Sequence, residues 1–462
     1  MGYDFRIVKS IHHSNGETEE MNRTDIMQSS RQRNQNGYKH SEVGIIPVDW
    51  EVVRLDELGV WKGGMTPSMQ NPSYWLDGNI PWISSGDVKS VLLKETGFSV
   101  TAFAIKQKTT TLLPAESIVV VTRSGILRKY LPVAMNVIPM AINQDIKALI
   151  PTKKFCSPYL LHALTWNGDR ILSRCMKAGT TVESIEFRWL KAFTIPLPTL
   201  AEQHAIAEVL GDADALIESL EQLIAKKRAV KQGVMQELLT GKTRLPGFNG
   251  LEWKKSEIGD IPSDWNVQEI GQIARVKTGP FGSSLHERDY VDDGTPIITV
   301  EHLGERGIVH SNIPMVSSAD RRRLSSYSLE EGDIVFSRVG SVDRNARVST
   351  EESGWLFSGR LLRLHVSPGN VDTRYLSYHF HSEPFKQRVR TVAVGQTMAS
   401  LNTQILNSVL VVLPSLPEQT AIAAILSDMD EEIAALEAKL TKTRQVKQGM
   451  MHELLTGRIR LV

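Results

Sequence analysis

The sequence predicts an α+β protein: two mixed α/β domains related by pseudo-twofold symmetry and separated by two long antiparallel coiled-coil helices. Three observations predict it. The chain is an internal duplication, each copy carries short β-branched strands at matching places, and each copy ends in a long amphipathic stretch.

The duplication is read by sliding the chain along itself. The run Ser41-Glu42-Val43-Gly44-Ile45-Ile46-Pro47-Val48-Asp49-Trp50 returns as Ser256-Glu257-Ile258-Gly259-Asp260-Ile261-Pro262-Ser263-Asp264-Trp265, an offset of 215 residues. Lys62 meets Lys277, Arg123 meets Arg338 and Gly125 meets Gly340 at the same offset. After a one-residue shift, Leu197 to Leu245 aligns with Leu413 to Leu461 without a gap, and more than half of the positions are identical. The middles, roughly 88–115 and 303–330, barely match. They read either as one scaffold carrying two specificities or as loops that have drifted.

In each copy the first part, about 160 residues, reads as many short strands. Ser117-Ile118-Val119-Val120-Val121-Thr122 and Asp333-Ile334-Val335-Phe336-Ser337 have strand composition, and Pro81-Trp82-Ile83 with Pro296-Ile297-Ile298 forms a second pair. The second part is a helix. From Glu202 no proline occurs until Pro246, and apolar residues recur at Ile206, Leu210, Ala213, Ile217, Leu220 and Ile224. The other copy gives Ile422, Leu426, Met429, Ile433, Leu436 and Leu440. This four–three alternation is a coiled-coil seam. Gly241 and Gly457 stand where a left-handed helix cap is expected. A helix over 202–240 is about 58 Å long at 1.5 Å per residue. The two stripes share a phase, so packing them on each other buries both. The alternative is that each helix packs on its own domain, or that both mediate oligomerisation.

These elements set the boundaries: a disordered or accessory tail at 1–40, a first domain at 41–200, a spacer helix at 201–243, a linker at 244–255, a second domain at 256–416, a second spacer helix at 417–457 and a tail at 458–462. The tail at 1–40 is rich in Ser, Asn, Gln, Arg and Glu.

Composition excludes several classes of function. The chain has 462 residues with 53 Lys plus Arg against 52 Asp plus Glu, a net charge of +1, so it is neither a polybasic coat nor an acidic tail protein. Its two cysteines, Cys156 and Cys175, lack metal-site spacing and fit a reducing cytoplasm. No apolar run approaches the ~18–20 residues that span a bilayer, and the first forty residues hold no secretory apolar segment. No catalytic constellation is found. Thr240-Gly241-Lys242-Thr243 lacks the leading glycine of a phosphate loop and follows a helix. No Gly-x-Gly-x-x-Gly serves a methyl donor, no Asn/Asp-Pro-Pro-aromatic tetrapeptide serves amino-methylation, and the twelve histidines show no metal-ligand spacing.

Binding equipment remains. Each copy has a Gly-rich loop: Lys62-Gly63-Gly64-Met65-Thr66-Pro67-Ser68 and Lys277-Thr278-Gly279-Pro280-Phe281-Gly282-Ser283. Glycines admit close backbone approach, and a lysine with small hydroxyls suits phosphate; such loops also serve as plain turns. After the Val-rich strand come Arg123, Ser124, Arg128 and Lys129, matched by Arg338, Ser341, Arg344 and Arg347. Arginines in that position can reach base edges in a groove, or form a surface cluster without function. Thr180 and Gln396 can contact phosphates or cap the helix that follows.

The Ser-Glu-x-Gly-x-Ile-Pro-x-Asp-Trp openings, the Gly332-Asp333-Ile334-Val335-Phe336-Ser337-Arg338 strand, the Leu197–Gln203 and Leu413–Gln419 helix entries, and the endings from Lys231 to Gly241, repeated from Lys447 to Gly457, resemble the DNA specificity subunit of Type I restriction–modification enzymes. The resemblance covers about 41–462. It implies two target-recognition domains that read the parts of a split, asymmetric site in double-stranded DNA, with the helices as spacer. It implies two modification subunits that methylate adenine and restriction subunits for ATP-driven cleavage. S-adenosylmethionine, ATP and Mg belong to those partners, with no cofactor or metal on this chain and no membrane. Two other functions stay open on the residues: a specificity module of another multi-subunit restriction system, and a coiled-coil adaptor that never touches DNA.

Overall fold

The structure is a computed structural model that describes residues 37–461 except 180, 249–251, 281–284, 368, 370 and 394–398. Most of the expected tail at 1–40 therefore lies outside the described residues. The chain divides into two units, 1–218 with 441–462, and 219–440. The division falls inside both long helices, so each unit owns the first half of one and the second half of the other.

Unit 1 opens with a hairpin, Tyr38–Ser41 against Gly44–Pro47. Its turn places Gly44 at φ 119, open to glycine alone at little cost. Glu51–Arg54 then pairs antiparallel with Thr194–Leu197, which ties the start of the domain to its end. A five-stranded sheet runs in the order Gly59–Gly63, Ile146–Pro151, Ile118–Val121, Val133–Asn136, Leu92–Leu93. A four-stranded sheet runs Phe98–Val100, Ile80–Ile83, Met140–Ile142, Thr111–Leu113. All four residues of Ile118–Val121 are buried. Ile118 and Val120 join Tyr159, Leu160 and Leu164 of the helix Ser157–Trp166 in one core. Val119 and Val121 join Ile83, Leu113 and Ile142 in a second. A strand covered on both faces needs a continuous apolar run, and this is the run the sequence shows.

Unit 2 repeats the plan. Trp253–Ser256 pairs with Gly259–Pro262, and Asn266–Glu269 with Leu410–Leu413. One four-stranded sheet runs Ala274–Thr278, Leu361–Val366, Ile334–Ser337, Asn345–Arg347, and another Tyr290–Val291, Met315–Val316, Thr295–Ile298, Leu356–Phe357. Ile334 and Phe336 pack with Tyr375, Leu376 and Phe380, while Val335 packs with Ile298 and Phe357 on the other face.

The long helices are Leu200–Leu238 and Leu416–Leu455. Gly241 and Gly457 follow them at φ 73 and φ 70, in the left-handed conformation that the sequence assigned to them. Within each unit the segments run antiparallel. In unit 1, Arg460 reaches Glu202 and Lys447 reaches Asp214. In unit 2, Lys227 meets Glu432 and Lys231 meets Asp430, both at 2.6 Å. Leu220, Ile224, Ile433 and Leu440 are buried and Ile217 and Leu436 half-buried, as a seam requires. At the helix ends the seam also enters the domain cores: Ile206 and Leu210 beside Met451 and Leu454, Ile422 and Leu426 beside Leu238 and Leu239. Packing on a partner helix and packing on the domain are thus both realised.

Three boundaries differ from the sequence reading. Tyr38–Ser41 is strand rather than tail, and the Tyr38 hydroxyl donates to the Gly457 carbonyl at 3.0 Å. The expected linker 244–255 overlaps Trp253–Ser256, which is strand, and includes Arg244, which is fixed. The expected tail 458–462 includes Arg460, also fixed. The reason is a duplicated ion network. Arg460 binds Asp49 and Glu202 while the Trp50 indole donates to Glu202 at 2.9 Å; Arg244 binds Asp264 and Glu418 while Trp265 donates to Glu418 at 3.1 Å. The adjacent glutamines close the motif: Gln203 accepts from the Cys156 amide and Gln419 from the Asp372 amide. The repeated Asp-Trp, Glu-Gln and Arg-Leu signatures are therefore joints between helix ends and domain. No helix among the described residues is long and apolar enough to cross a membrane.

Candidate nucleic-acid interface

In unit 1 the strands Gly59–Gly63 and Ile118–Val121 both lie antiparallel to Ile146–Pro151, so both end at the edge where that strand begins. Three loops meet at this edge. The Met65 amide donates to the Ile142 carbonyl at 3.2 Å, and the Thr66 hydroxyl bonds Gln144 at 2.6 Å. The Thr122 and Arg123 amides both donate to the Asp145 carbonyl, at 2.8 and 3.2 Å. A fourth segment closes the group: Ser124 N–H donates to the Glu183 carbonyl, Arg123 is bridged to Ser184, and the Arg128 guanidinium pairs with Glu183. The Gly-rich loop, the arginine loop and the stretch beside Thr180 thus form one rim, although they are about 60 residues apart in sequence.

Unit 2 builds the same rim. Gly279 N–H donates to the Leu361 carbonyl at 3.1 Å, Arg338 N–H to the Arg360 carbonyl at 2.8 Å, and Gly340 N–H to the Ala399 carbonyl at 3.0 Å. Val339 is bridged to Ser400.

The candidate residues divide by exposure. Lys62, Gly63, Thr66, Ser68, Arg123, Arg128, Lys129 and Ser341 are exposed; Ser124, Thr278 and Arg338 are half-buried. Ser124 caps the short helix Gly125–Arg128, and the Arg123 guanidinium lies 3.8 Å from the Asp145 carboxylate. Thr180, Gly282, Ser283 and Gln396 lie outside the described residues.

Four of the expected residues have partners inside the domain itself. A Cβ on Gly64 would sit 2.0 Å from the Ile142 carbonyl oxygen, so its smallness serves the domain's own backbone rather than a ligand. Lys277 donates to the Ser326 carbonyl at 2.6 Å and lies 4.3 Å from the centre of the Tyr327 ring; burial, with Arg363 nearby, pushes its pKa down. Arg344 donates to the Leu303 carbonyl at 2.7 Å. Arg347 donates to Thr373 at 3.0 Å, and burial lowers its pKa. These three cations brace unit 2 internally.

The structure adds residues that the sequence reading passed over. Gln144 and Arg360 are exposed on the loops at the middle of each rim, in short turns without a motif. Gln and Arg are side chains that read adenine and guanine edges. Arg321, Arg322 and Arg323 are exposed on the helix Ser318–Arg323 of the divergent middle. Among the described residues one group, His310, Glu351 and Glu352, has metal-ligand character. Glu352 is already engaged by Ser349 N–H, the Ser349 hydroxyl and His310 at 2.6 Å each, so the group is accounted for as a helix cap.

The domain, doubled in one chain, has a counterpart among known proteins. The pattern described as the Type I restriction modification DNA specificity domain matches residues 47–226 and again 262–445. The chain belongs to that family. A Methanocaldococcus jannaschii Type I restriction enzyme specificity subunit, MjaVIII, is 24% identical over 448 residues, covering 94% of this chain and 98% of that protein. An Escherichia coli Type I restriction enzyme specificity subunit is 37% identical over 185 residues, which is 40% of this chain and 45% of that one. A solved Type I restriction-modification S subunit from M. genitalium shares the fold, with a TM-score of 0.57 and 16% identity over 88% of this chain and 96% of that chain.

Proposed function

We propose that this specificity-family chain is the non-catalytic DNA-reading subunit of a Type I restriction–modification complex, each unit reading one part of a bipartite, asymmetric site in double-stranded DNA. The observation that carries the reading is the rim built at the same sheet edge in both units and lined by different side chains, Gln144 with Arg123 and Arg128 in one, Arg360 with Arg338 in the other. Equivalent scaffolds with unlike rims are what reading two unlike half-sites requires. Two modification subunits methylating adenine and restriction subunits complete the assembly, in the cytoplasm; S-adenosylmethionine, ATP and Mg reside on those partners. The near-neutral balance of 53 basic and 52 acidic residues fits a reader that shares phosphate neutralisation with its partners.

The deciding experiment is single-molecule sequencing of host DNA for modified adenine, with and without this gene. One bipartite motif is expected to vanish on deletion; an unchanged pattern sinks the proposal. In the assembled methyltransferase, Arg123→Ala and Arg338→Ala are each expected to weaken specific binding about tenfold or more. Unchanged affinity and sequence choice for either variant removes that residue from the interface.

The helices give a second prediction. Lys231–Asp430 and Lys227–Glu432 fix the register of the antiparallel pair, so a turn inserted near Ala225 must be matched by one near Leu436. The double insertion is expected to lengthen the non-specific gap by about one to two base pairs while both half-sites stay the same. Methylome sequencing reads the result directly.

A further inference from the structure

We propose that unit 1 reads thymine methyl groups through an apolar shelf formed by Met65, Met69, Leu76 and Phe98, an inference that rests on the DNA-reading role above. Met69, Leu76 and Phe98 are 62%, 69% and 56% exposed and line one pocket with Pro72 and Trp75, and Met65, four residues before Met69, is exposed as well. So much open apolar surface marks an interaction site.

The shelf is held from beneath. The Trp75 ring stands edge-on to Trp82 at 5.3 Å and to Phe98 at 6.2 Å. Its indole N–H donates to the Ser68 carbonyl at 3.1 Å, and that of Trp82 to the Met65 carbonyl at 3.4 Å. Both carbonyls belong to the Gly-rich loop, so the shelf and the rim are one built surface. Met65 directly precedes Thr66, the residue bonded to Gln144. Ligand reaching Gln144 therefore meets apolar surface on the adjoining side.

The occupant follows from chemistry. Asp77, exposed next to Leu76, disfavours phosphate and leaves base edges as the neighbour. In the major groove the only apolar group on a base edge is the thymine C5-methyl. Methionine side chains adapt to such a small apolar target. Unit 2 carries different chemistry at the equivalent place. In each unit a short helix follows the strand paired antiparallel with Ile80–Ile83 or Thr295–Ile298 and is capped by a hydroxyl, Thr101 before Ala102–Lys106 and Ser317 before Ser318–Arg323. The first presents exposed Phe103 towards solvent, the second Arg321, Arg322 and Arg323.

The test uses the chain assembled with its modification subunits and duplexes carrying the motif found by methylome sequencing. Thymines are replaced by deoxyuridine in one half-site at a time, which removes only the methyl. Affinity is expected to fall about fourfold per contacted methyl in one half-site, with the other half indifferent. Met69→Ala with Leu76→Ala is expected to abolish that sensitivity, while Arg321→Ala with Arg322→Ala leaves it intact. Equal affinity for thymine and deoxyuridine in both half-sites overturns the proposal. So does a shelf variant that keeps the sensitivity but loses its modification subunits, since the shelf is then a protein-docking surface. Absence of any sequence-specific binding would instead overturn the DNA-reading role itself.

Discussion

Arg460→Ala is expected to destabilise unit 1 by about 3–5 kcal/mol, because it leaves a buried carboxylate without its counter-charge. Glu202 is fully buried, and its partners are the Arg460 guanidinium and the Trp50 indole. Arg460 binds Glu202 through two nitrogens and Asp49 through two, at 2.7 and 3.0 Å for the latter. The geometry is planar and bidentate, which lysine does not reproduce. Arg460→Lys is therefore expected to recover little. Combining Arg460→Ala with Glu202→Gln removes the stranded charge while keeping an acceptor for Trp50, and is expected to restore more than half of the loss. Urea unfolding of the three variants decides it. A loss below about 1 kcal/mol for Arg460→Ala shows that the network is a surface pairing of ordinary worth.

Acidification is expected to weaken unit 1 by about 2 kcal/mol between pH 7 and pH 5, through His162. This histidine is buried on the helix Ser157–Trp166, and burial, with Lys447 beside it, pushes its pKa down to about 4, against the opposing pull of Asp214. An unfolded histidine titrates near 6.5. Between those values the unfolded chain binds a proton that the folded chain refuses, so stability present at neutral pH is lost as pH falls from about 6.5 towards 4. Unit 2 shows the remedy. At the equivalent position Tyr378 donates to Asp430 at 2.8 Å, whereas in unit 1 His162 lies 3.9 Å from Asp214 and Asp214 Oδ2 is buried without a hydrogen bond. His162→Tyr is expected to add about 1 kcal/mol at pH 7 and to remove this share of the acid sensitivity. Unit 2 has its own buried histidine, His379, held down to about 3 by burial, so the quantity to compare is wild type against His162→Tyr at each pH. Parallel pH profiles for the two proteins dismiss the role given to His162.

The duplication, the buried strands and the long helices were legible because each leaves a pattern that one segment carries alone. Ile118–Val121 is apolar throughout because it is covered on both faces, and Gly241 is glycine because the helix end turns left-handed. The rim was legible only in part. Arg123 and Arg128 are exposed as their position suggested, but Lys277, Arg344 and Arg347 spend their charge on internal carbonyl and hydroxyl groups. An arginine in a loop looks alike in either role, and only the position of an acceptor distinguishes them. Gln144 and Arg360 escaped for the opposite reason. Nothing in Asn143-Gln144-Asp145 or Ser358-Gly359-Arg360 marks a site until three distant loops are brought to the same edge. The hairpin at Tyr38 was missed because its first strand is short and polar, and its anchor is a carbonyl at residue 457.

Unit 2 is one unbroken stretch of chain, 219–440, whereas unit 1 waits for residues 441–462. On the ribosome the usual order is then inverted: the later-encoded half has all its parts first, and the earlier half is finished by residues 441–462, which are translated after all of unit 2. A premature stop after residue 440 therefore harms the end of the molecule that was made first.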